Sequence, residues 1–171
     1  MEDGLKIYDN PVGILTNNPP FSYHLANLNN YMNLTPRCPE NRFSDRLNLQ
    51  QYGMGMGAIG LPGDTSPTSR FVRASFTKFN SVCEEDEVSS VTQFFHILDS
   101  VSVVKGTSLT KDGLDDLTTY SCCINATRGI YYYKTYNNSQ ITALRMTDRE
   151  KCRKTLCIHE LIDVQQIRYL N

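Results

Sequence analysis

The sequence predicts an α+β fold in which helices cover an antiparallel sheet. Two patterns carry this. Between residues 19 and 99 apolar side chains recur three and four apart in three windows, as helices require, and after Gly113 the apolar period drops to two, as strands require. A third observation is compositional: 40% hydrophobic, 10% aromatic and 20% charged residues, with ten Tyr, seven Phe and no Trp, describe a globular chain rather than a disordered one. At 171 residues one domain is the default. Such a length buries roughly two-thirds of its unfolded surface, so a core needs no disulfide or metal staple.

The elements follow in chain order. Leu5-Lys6-Ile7-Tyr8 and Val12-Gly13-Ile14-Leu15-Thr16, parted by the turn signal Asp9-Asn10-Pro11, predict a β-hairpin. Pro19 and Pro20 permit a helix start, and Phe21, Leu25, Leu28 and Tyr31/Met32 place an apolar stripe on a first helix of about three turns, expected to face a sheet. Residues 33–66, rich in Asn, Pro, Gly and Ser, hold no single period and read as a long loop. Ser66 can then cap and Pro67 suits the first helical position of a second helix to about residue 79, with Phe71, Val72, Ser75, Phe76 and Phe79 as its stripe. Glu84-Glu85-Asp86-Glu87 places negative charge where the peptide dipoles of a third helix favour it, ahead of Val88, Val91, Phe94/Phe95 and Leu98. Residues 119–124, 129–136 and 140–146 predict three strands, the last two joined by Asn137-Asn138-Ser139, with a weak final strand in 166–170.

Charge and cysteine usage narrow the function classes. Seventeen Lys+Arg against 18 Asp+Glu give a net charge of −1, which argues against a nucleic-acid binder or a polybasic membrane-surface protein. No run approaches the roughly 20 apolar residues of a bilayer-spanning helix, and Met1-Glu2-Asp3-Gly4 lacks a signal-peptide core, so the expected address is cytoplasmic. Cys38, Cys83, Cys122, Cys123, Cys152 and Cys157 form no C-x-x-C pair and His24, His96 and His159 are scattered, so neither a metal site nor a cofactor is expected and the cysteines read as buried or partly buried free thiols. The sequons at Asn33, Asn125 and Asn137 read as chance matches.

Several local features are ambiguous on their own. Gly55 to Gly60 is a formal G-x-G-x-x-G, but Leu61-Pro62-Gly63-Asp64 breaks the helix that a dinucleotide site needs, which favours a close-packed loop approaching other backbone. Arg70 sits in the first turns of the second helix, where the dipole disfavours a cation, so it calls for a partner; a solvated arginine or a pair with Asp64 is the bland reading, and Arg73 is read the same way. Asn17 ends an apolar run before Asn18-Pro19-Pro20 and is either a turn former or an amide donor to an oxyanion; Asn27, Asn30 and Tyr31 are equally open. The tyrosines at 131–133 fit strand propensity, and the mixed-charge run at 149–154 reads as a solvated connection.

Longer motifs add a resemblance. Ile14-Leu15-Thr16-Asn17-Asn18-Pro19-Pro20-Phe21, Asn27-Leu28-Asn29-Asn30-Tyr31 and Gly55-Met56-Gly57-Ala58-Ile59-Gly60-Leu61-Pro62-Gly63-Asp64-Thr65-Ser66-Pro67-Thr68-Ser69-Arg70-Phe71 resemble the choloylglycine hydrolase family of bile salt hydrolases and penicillin V acylases. Phe94-Phe95-His96-Ile97-Leu98 and Gly129-Ile130-Tyr131-Tyr132-Tyr133 continue it in order, and it weakens after about Met146. The resemblance implies the N-terminal-nucleophile hydrolase fold, a four-layer αββα sandwich that cleaves linear amide C–N bonds, of which residues 1–171 are expected to supply one partial domain, roughly the C-terminal half. It implies an N-terminal cysteine whose own α-amine, with an ordinary pKa of about 8, takes the thiol proton. It implies that Asn17 helps form the oxyanion hole and that Arg70 organises the charged surroundings of the nucleophile.

Residue 2 is Glu and the first cysteine is Cys38, so the isolated chain is expected to be inactive. The expected substrate is a conjugated bile acid, cleaved at its glycine or taurine amide, and the expected partner is a second copy or the missing N-terminal half. The alternatives are penicillin V acylase-like specificity and a non-catalytic bile-acid-binding or assembly module.

Overall fold

The computed structural model describes residue 5, residues 7–146 and residues 156–170. The chain divides between Ser81 and Val82 into two compact units.

The first unit is built on two helices. Helix α1 (Phe21–Asn27) continues as a 3₁₀ turn (Leu28–Tyr31), and α2 spans Pro67–Asn80. Ser66 caps α2 by accepting the Ser69 N–H, and Pro67 occupies the first turn, where its missing N–H costs nothing. The buried stripe Ser69, Phe71, Val72, Ala74 and Ser75 has the helical period read from the sequence, whereas Phe79 is mostly exposed. Helix α1 packs against α2 rather than against a sheet, because the described residues of this unit contain no strand. The anticipated hairpin is likewise absent: residues 7–16 carry no ladder pairs. A tight turn replaces it, in which Asn10 Oδ1 accepts the Gly13 N–H at 2.8 Å, Asn10 Nδ2 donates to Ile14 O at 3.0 Å, and Gly13 adopts φ +64°.

The glycine-rich loop makes a 3₁₀ turn, Met56–Ala58, with no strand before it and no α-helix opening at Gly60. It is a packing loop. The Thr35 N–H donates to Gly57 O at 3.0 Å, and a Cβ on Gly57 would overlap the carbonyl oxygens of Thr35 and Arg37.

The second unit sets one helix on a three-stranded antiparallel sheet. Helix α3 spans Glu87–Asp99, with Asp86 as its cap through the Ser89 N–H. Strands β1 (Tyr120–Asn125), β2 (Ile130–Thr135) and β3 (Thr142–Arg145) lie in the order β1-β2-β3, with Cys122 opposite Tyr133 and Tyr131 opposite Leu144. Alternation divides the faces. Tyr132 and Lys134 reach α3, where Lys134 pairs with Asp99 at 2.5 Å, while Tyr133 accepts the Ile162 N–H on the other face at 3.1 Å. Phe95, Val103 and Ile130 are among the buried residues of this unit.

Glu87 does more than favour a helix start. Its carboxylate accepts from Asn125 Nδ2 (2.6 Å), Arg128 Nη1 (2.6 Å) and Tyr132 Oη (2.8 Å), tying α3 to the β1–β2 hairpin. These bonds, led by the Tyr132 hydroxyl, hold its pKa below the ordinary carboxylate value.

No strand forms in 166–170. The segment is fastened by side chains to the β2–β3 turn instead of by a ladder: Asn138 Nδ2 donates to Ile162 O at 3.2 Å, Asn137 Nδ2 to Asp163 Oδ2 at 2.8 Å, and Gln165 Oε1 accepts from Ser139. The mixed-charge run 149–154 and Cys152 lie outside the described residues. Among those described, Cys38, Cys83 and Cys157 are exposed rather than buried, and Cys122 and Cys123 are half-buried. No helix of the described residues is long and apolar enough to cross a membrane.

Gly57→Ala should lower stability by about 1–3 kcal/mol in urea unfolding, because the backbone facing it must move apart. Gly53→Ala, with open space around it, is the control and should be near neutral. Glu87→Ala should lower the thermal midpoint and speed amide exchange across residues 125–132; unchanged exchange there would show that the carboxylate is not what joins helix and hairpin.

Candidate active site

Asn17 and Arg70, separated by 53 residues in sequence, meet in the structure: Arg70 Nη2 donates to Asn17 Oδ1 at 3.1 Å. Helix α2 supplies one side. Its first turn presents Arg70, whose Nε donates to Thr65 O at 3.0 Å, so the guanidinium is braced against the residue before the cap. This answers the misplaced cation: Arg70 bonds a backbone carbonyl and an amide oxygen, both of which can only accept.

Around that turn the chain is fastened repeatedly. Asp64 Oδ1 accepts the Ser66 N–H at 2.9 Å and Oδ2 accepts the Ser69 hydroxyl at 2.5 Å. The hydroxyls of Ser66 and Ser69, in that order, hold the Asp64 carboxyl down at about 2, from an ordinary value of 3.8. Arg73 Nη1 donates to Pro62 O (2.7 Å) and Asp64 O (3.1 Å), which closes the end of the glycine-rich loop onto the helix.

The other side is the extended run that carries Asn17. Lys78, two turns beyond Arg70 on α2, donates Nζ to Val12 O at 2.6 Å, and Val12 is buried. A side chain on Gly13 would meet only the tip of the flexible Lys78 chain, so it is the positive φ of +64° that calls for glycine there. Asn17 itself is exposed, and its backbone carbonyl faces His24 Nε2 at 3.2 Å. Asn30 Nδ2 donates to Asn27 Oδ1 at 3.1 Å, a pair within the α1 region.

The arrangement has a chemical direction. An arginine cannot accept, so Asn17 turns Oδ1 toward it and Nδ2 away, and that NH2 is left as a donor facing outward. With the guanidinium charge and the N-terminal end of α2 close by, the neighbourhood favours an oxygen that gains negative charge. Among the described residues no group of three or more His, Cys, Asp or Glu is placed to hold a metal ion. The sequence reading named His24 only as one of three scattered histidines, although its position between Phe21, Leu25 and Leu28 set it on the apolar stripe of α1.

Comparison with known proteins gives the family. A family model described as linear amide C–N hydrolases, choloylglycine hydrolase family, matches residues 1–159. The chain belongs to the choloylglycine hydrolase family. Among family members, a bile salt hydrolase/transferase of Lactiplantibacillus plantarum is 54% identical over 146 residues, covering 85% of this chain and 45% of that protein. One of the same description from Clostridium perfringens is 38% identical, covering 94% and 51%. The crystal structure of a mutant conjugated bile acid hydrolase from Clostridium perfringens superposes with a TM-score of 0.85 at 36% identity, covering 99% of this chain and 52% of that one. A penicillin V acylase from Agrobacterium tumefaciens shares the fold, with a TM-score of 0.56 at 24% identity over 82% of this chain and 38% of that one. The chain thus spans about half the length of the curated relatives it matches.

The Asp64 pKa carries a sign. A carboxyl with a folded value below its unfolded one adds stability above about pH 4, and that contribution is lost as pH falls through about 2. Carbon-detected NMR titration should place the Asp64 midpoint near 2 and Ser69→Ala should raise it; a wild-type midpoint at 3.8 would contradict the hydrogen bonding.

Proposed function

We propose that the chain supplies the Asn17–Arg70 side of an amide-hydrolysing site that acts on conjugated bile acids. The observation that carries it is the 3.1 Å bond from Arg70 to Asn17 Oδ1, which turns the amide N–H groups outward. The substrate class is carried over from relatives such as the bile salt hydrolase/transferase that is 54% identical over 146 residues.

On this reading the attacking thiolate and its α-amine base lie in the half of the enzyme that the matched region does not span. The thiolate adds to the carbonyl carbon of the glycine or taurine amide. The carbonyl oxygen becomes an oxyanion held in part by Asn17 Nδ2, with Arg70 fixing that amide and adding positive charge. Collapse expels the amine, protonated as it leaves, and forms a thioester; water then attacks the thioester, releasing the bile acid and the thiol.

The two units would form roughly the C-terminal half of a four-layer αββα sandwich, a single domain once the remainder is present. Exposed apolar residues support this association: Leu5 is 92% exposed in the first unit and Leu170 83% in the second. In the second unit, Tyr131, Tyr133, Leu144 and Ile162 line an apolar groove on the sheet face away from α3. Association with that remainder, or between copies, would cover such surfaces.

A chimera in which this chain replaces the segment it matches in the Lactiplantibacillus plantarum relative tests the reading. It should release glycine or taurine from conjugated bile salts, and Asn17→Ala should lower kcat by about a hundredfold or more, the usual cost of one oxyanion donor. A folded chimera with no release, or one indifferent to Asn17→Ala, would remove the basis for the assignment. The 171-residue chain alone should release nothing; release that survives Cys38→Ser would move the nucleophile into this chain.

A further inference from the structure

We propose that His24 is a positioning residue for Asn17, holding its backbone so that its amide meets the developing oxyanion; the proposal rests on the reading of the site given above. The imidazole is 1% exposed, on the inner face of α1. It stacks on Phe71, centroid to centroid 4.9 Å at 26°, and Tyr23 meets it edge-on at 5.8 Å. Its Nε2 lies 3.2 Å from the Asn17 carbonyl oxygen. A carbonyl oxygen only accepts, so Nε2 carries a proton and donates it to this contact. Nδ1 is buried and, among the described residues, has no hydrogen-bond partner.

That combination is hard to explain by packing. A phenylalanine would stack on Phe71 equally well and would bury no nitrogen without a partner, a burial that carries a desolvation cost. What imidazole adds at this position is one N–H, and its acceptor is Asn17.

The consequence is a residue held at two atoms. His24 fixes the Asn17 carbonyl from α1, and Arg70 fixes Oδ1 from α2. The two anchors are coupled, because the ring that His24 stacks on belongs to Phe71, next in the chain after Arg70. With only the Arg70 contact, the side chain can follow the guanidinium and the peptide behind it is free to tilt. With both, Nδ2 is aimed before substrate arrives, and a donor misplaced by about 1 Å costs on the order of a hundredfold in rate.

Two substitutions separate positioning from packing. His24→Phe keeps the stack and removes the donor, whereas His24→Gln loses the stack and carries an amide N–H to about the distance of Nε2. In the ¹⁵N-labelled 171-residue chain, relaxation of the Asn17 side-chain NH2 should show a lower order parameter in His24→Phe and a native one in His24→Gln. A native order parameter in His24→Phe would overturn the proposal. Should His24→Phe fail to fold, His24→Gln decides: native Asn17 order supports positioning, and lowered order overturns it. In the hydrolysing chimera, His24→Phe should reduce kcat about tenfold with KM unchanged and His24→Gln should recover most of it, as expected for a contact that matters only when the oxyanion forms. Equal kcat in wild type and His24→Phe would overturn the proposal. A wild-type chimera without turnover would instead count against the site reading itself, and the Asn17 order parameters would then decide the role of His24.

Discussion

A guanidinium can donate hydrogen bonds and cannot accept them, and the first unit is arranged around that constraint. Arg70 stands where the α2 dipole repels it, and Thr65 O and Asn17 Oδ1 compensate by accepting its N–H groups. To keep those acceptors in reach, the chain ahead of the helix must be fixed. Ser66 caps the helix, Asp64 collects Ser66 and Ser69, and Arg73 closes residues 62 and 64 onto it. On the other side, Lys78 holds Val12 and His24 holds the Asn17 carbonyl. The amide orientation is the common product of these contacts, most of them between a side chain and a backbone atom.

The second unit solves a different problem with the same economy. A three-stranded sheet and one helix offer a small core, so polar contacts at both ends of α3 do much of the joining: Glu87 at its start and Asp99 at its end. Glu87 is stabilised as an anion by three donors, and the tail at 156–170 is secured by amides of the 137–139 turn.

What the sequence disclosed followed the range over which its signals act. Ser66-Pro67 and Asp86 are complete local instructions for a helix start, and both helices begin there. The three strands after Gly113 alternate over enough residues to announce themselves, and their turns are rich in Asn and Gly. The expected hairpin has no counterpart in residues 7–16 because extended pattern says nothing of a pairing partner, and Asn10 with Gly13 built a turn instead. Phe79 fitted the α2 stripe in period but stands in the last turn of the helix, mostly exposed. The meeting of Asn17 with Arg70 has no local signal at all; only motif resemblance pointed to both. His24 had a weak one, a polar ring among apolar neighbours, and its bond to Asn17 depends on a backbone path that periodicity does not encode.

Glu87 also bears on how such a sequence can drift. Three side chains converge on one carboxylate from positions 125, 128 and 132, so a change at any of the four alters what the others bond to. Neighbouring positions on α3 that meet only water carry no such linkage. In a library of randomised variants, surviving substitutions at these four sites should therefore travel together, as a correlated block in an otherwise independent surface.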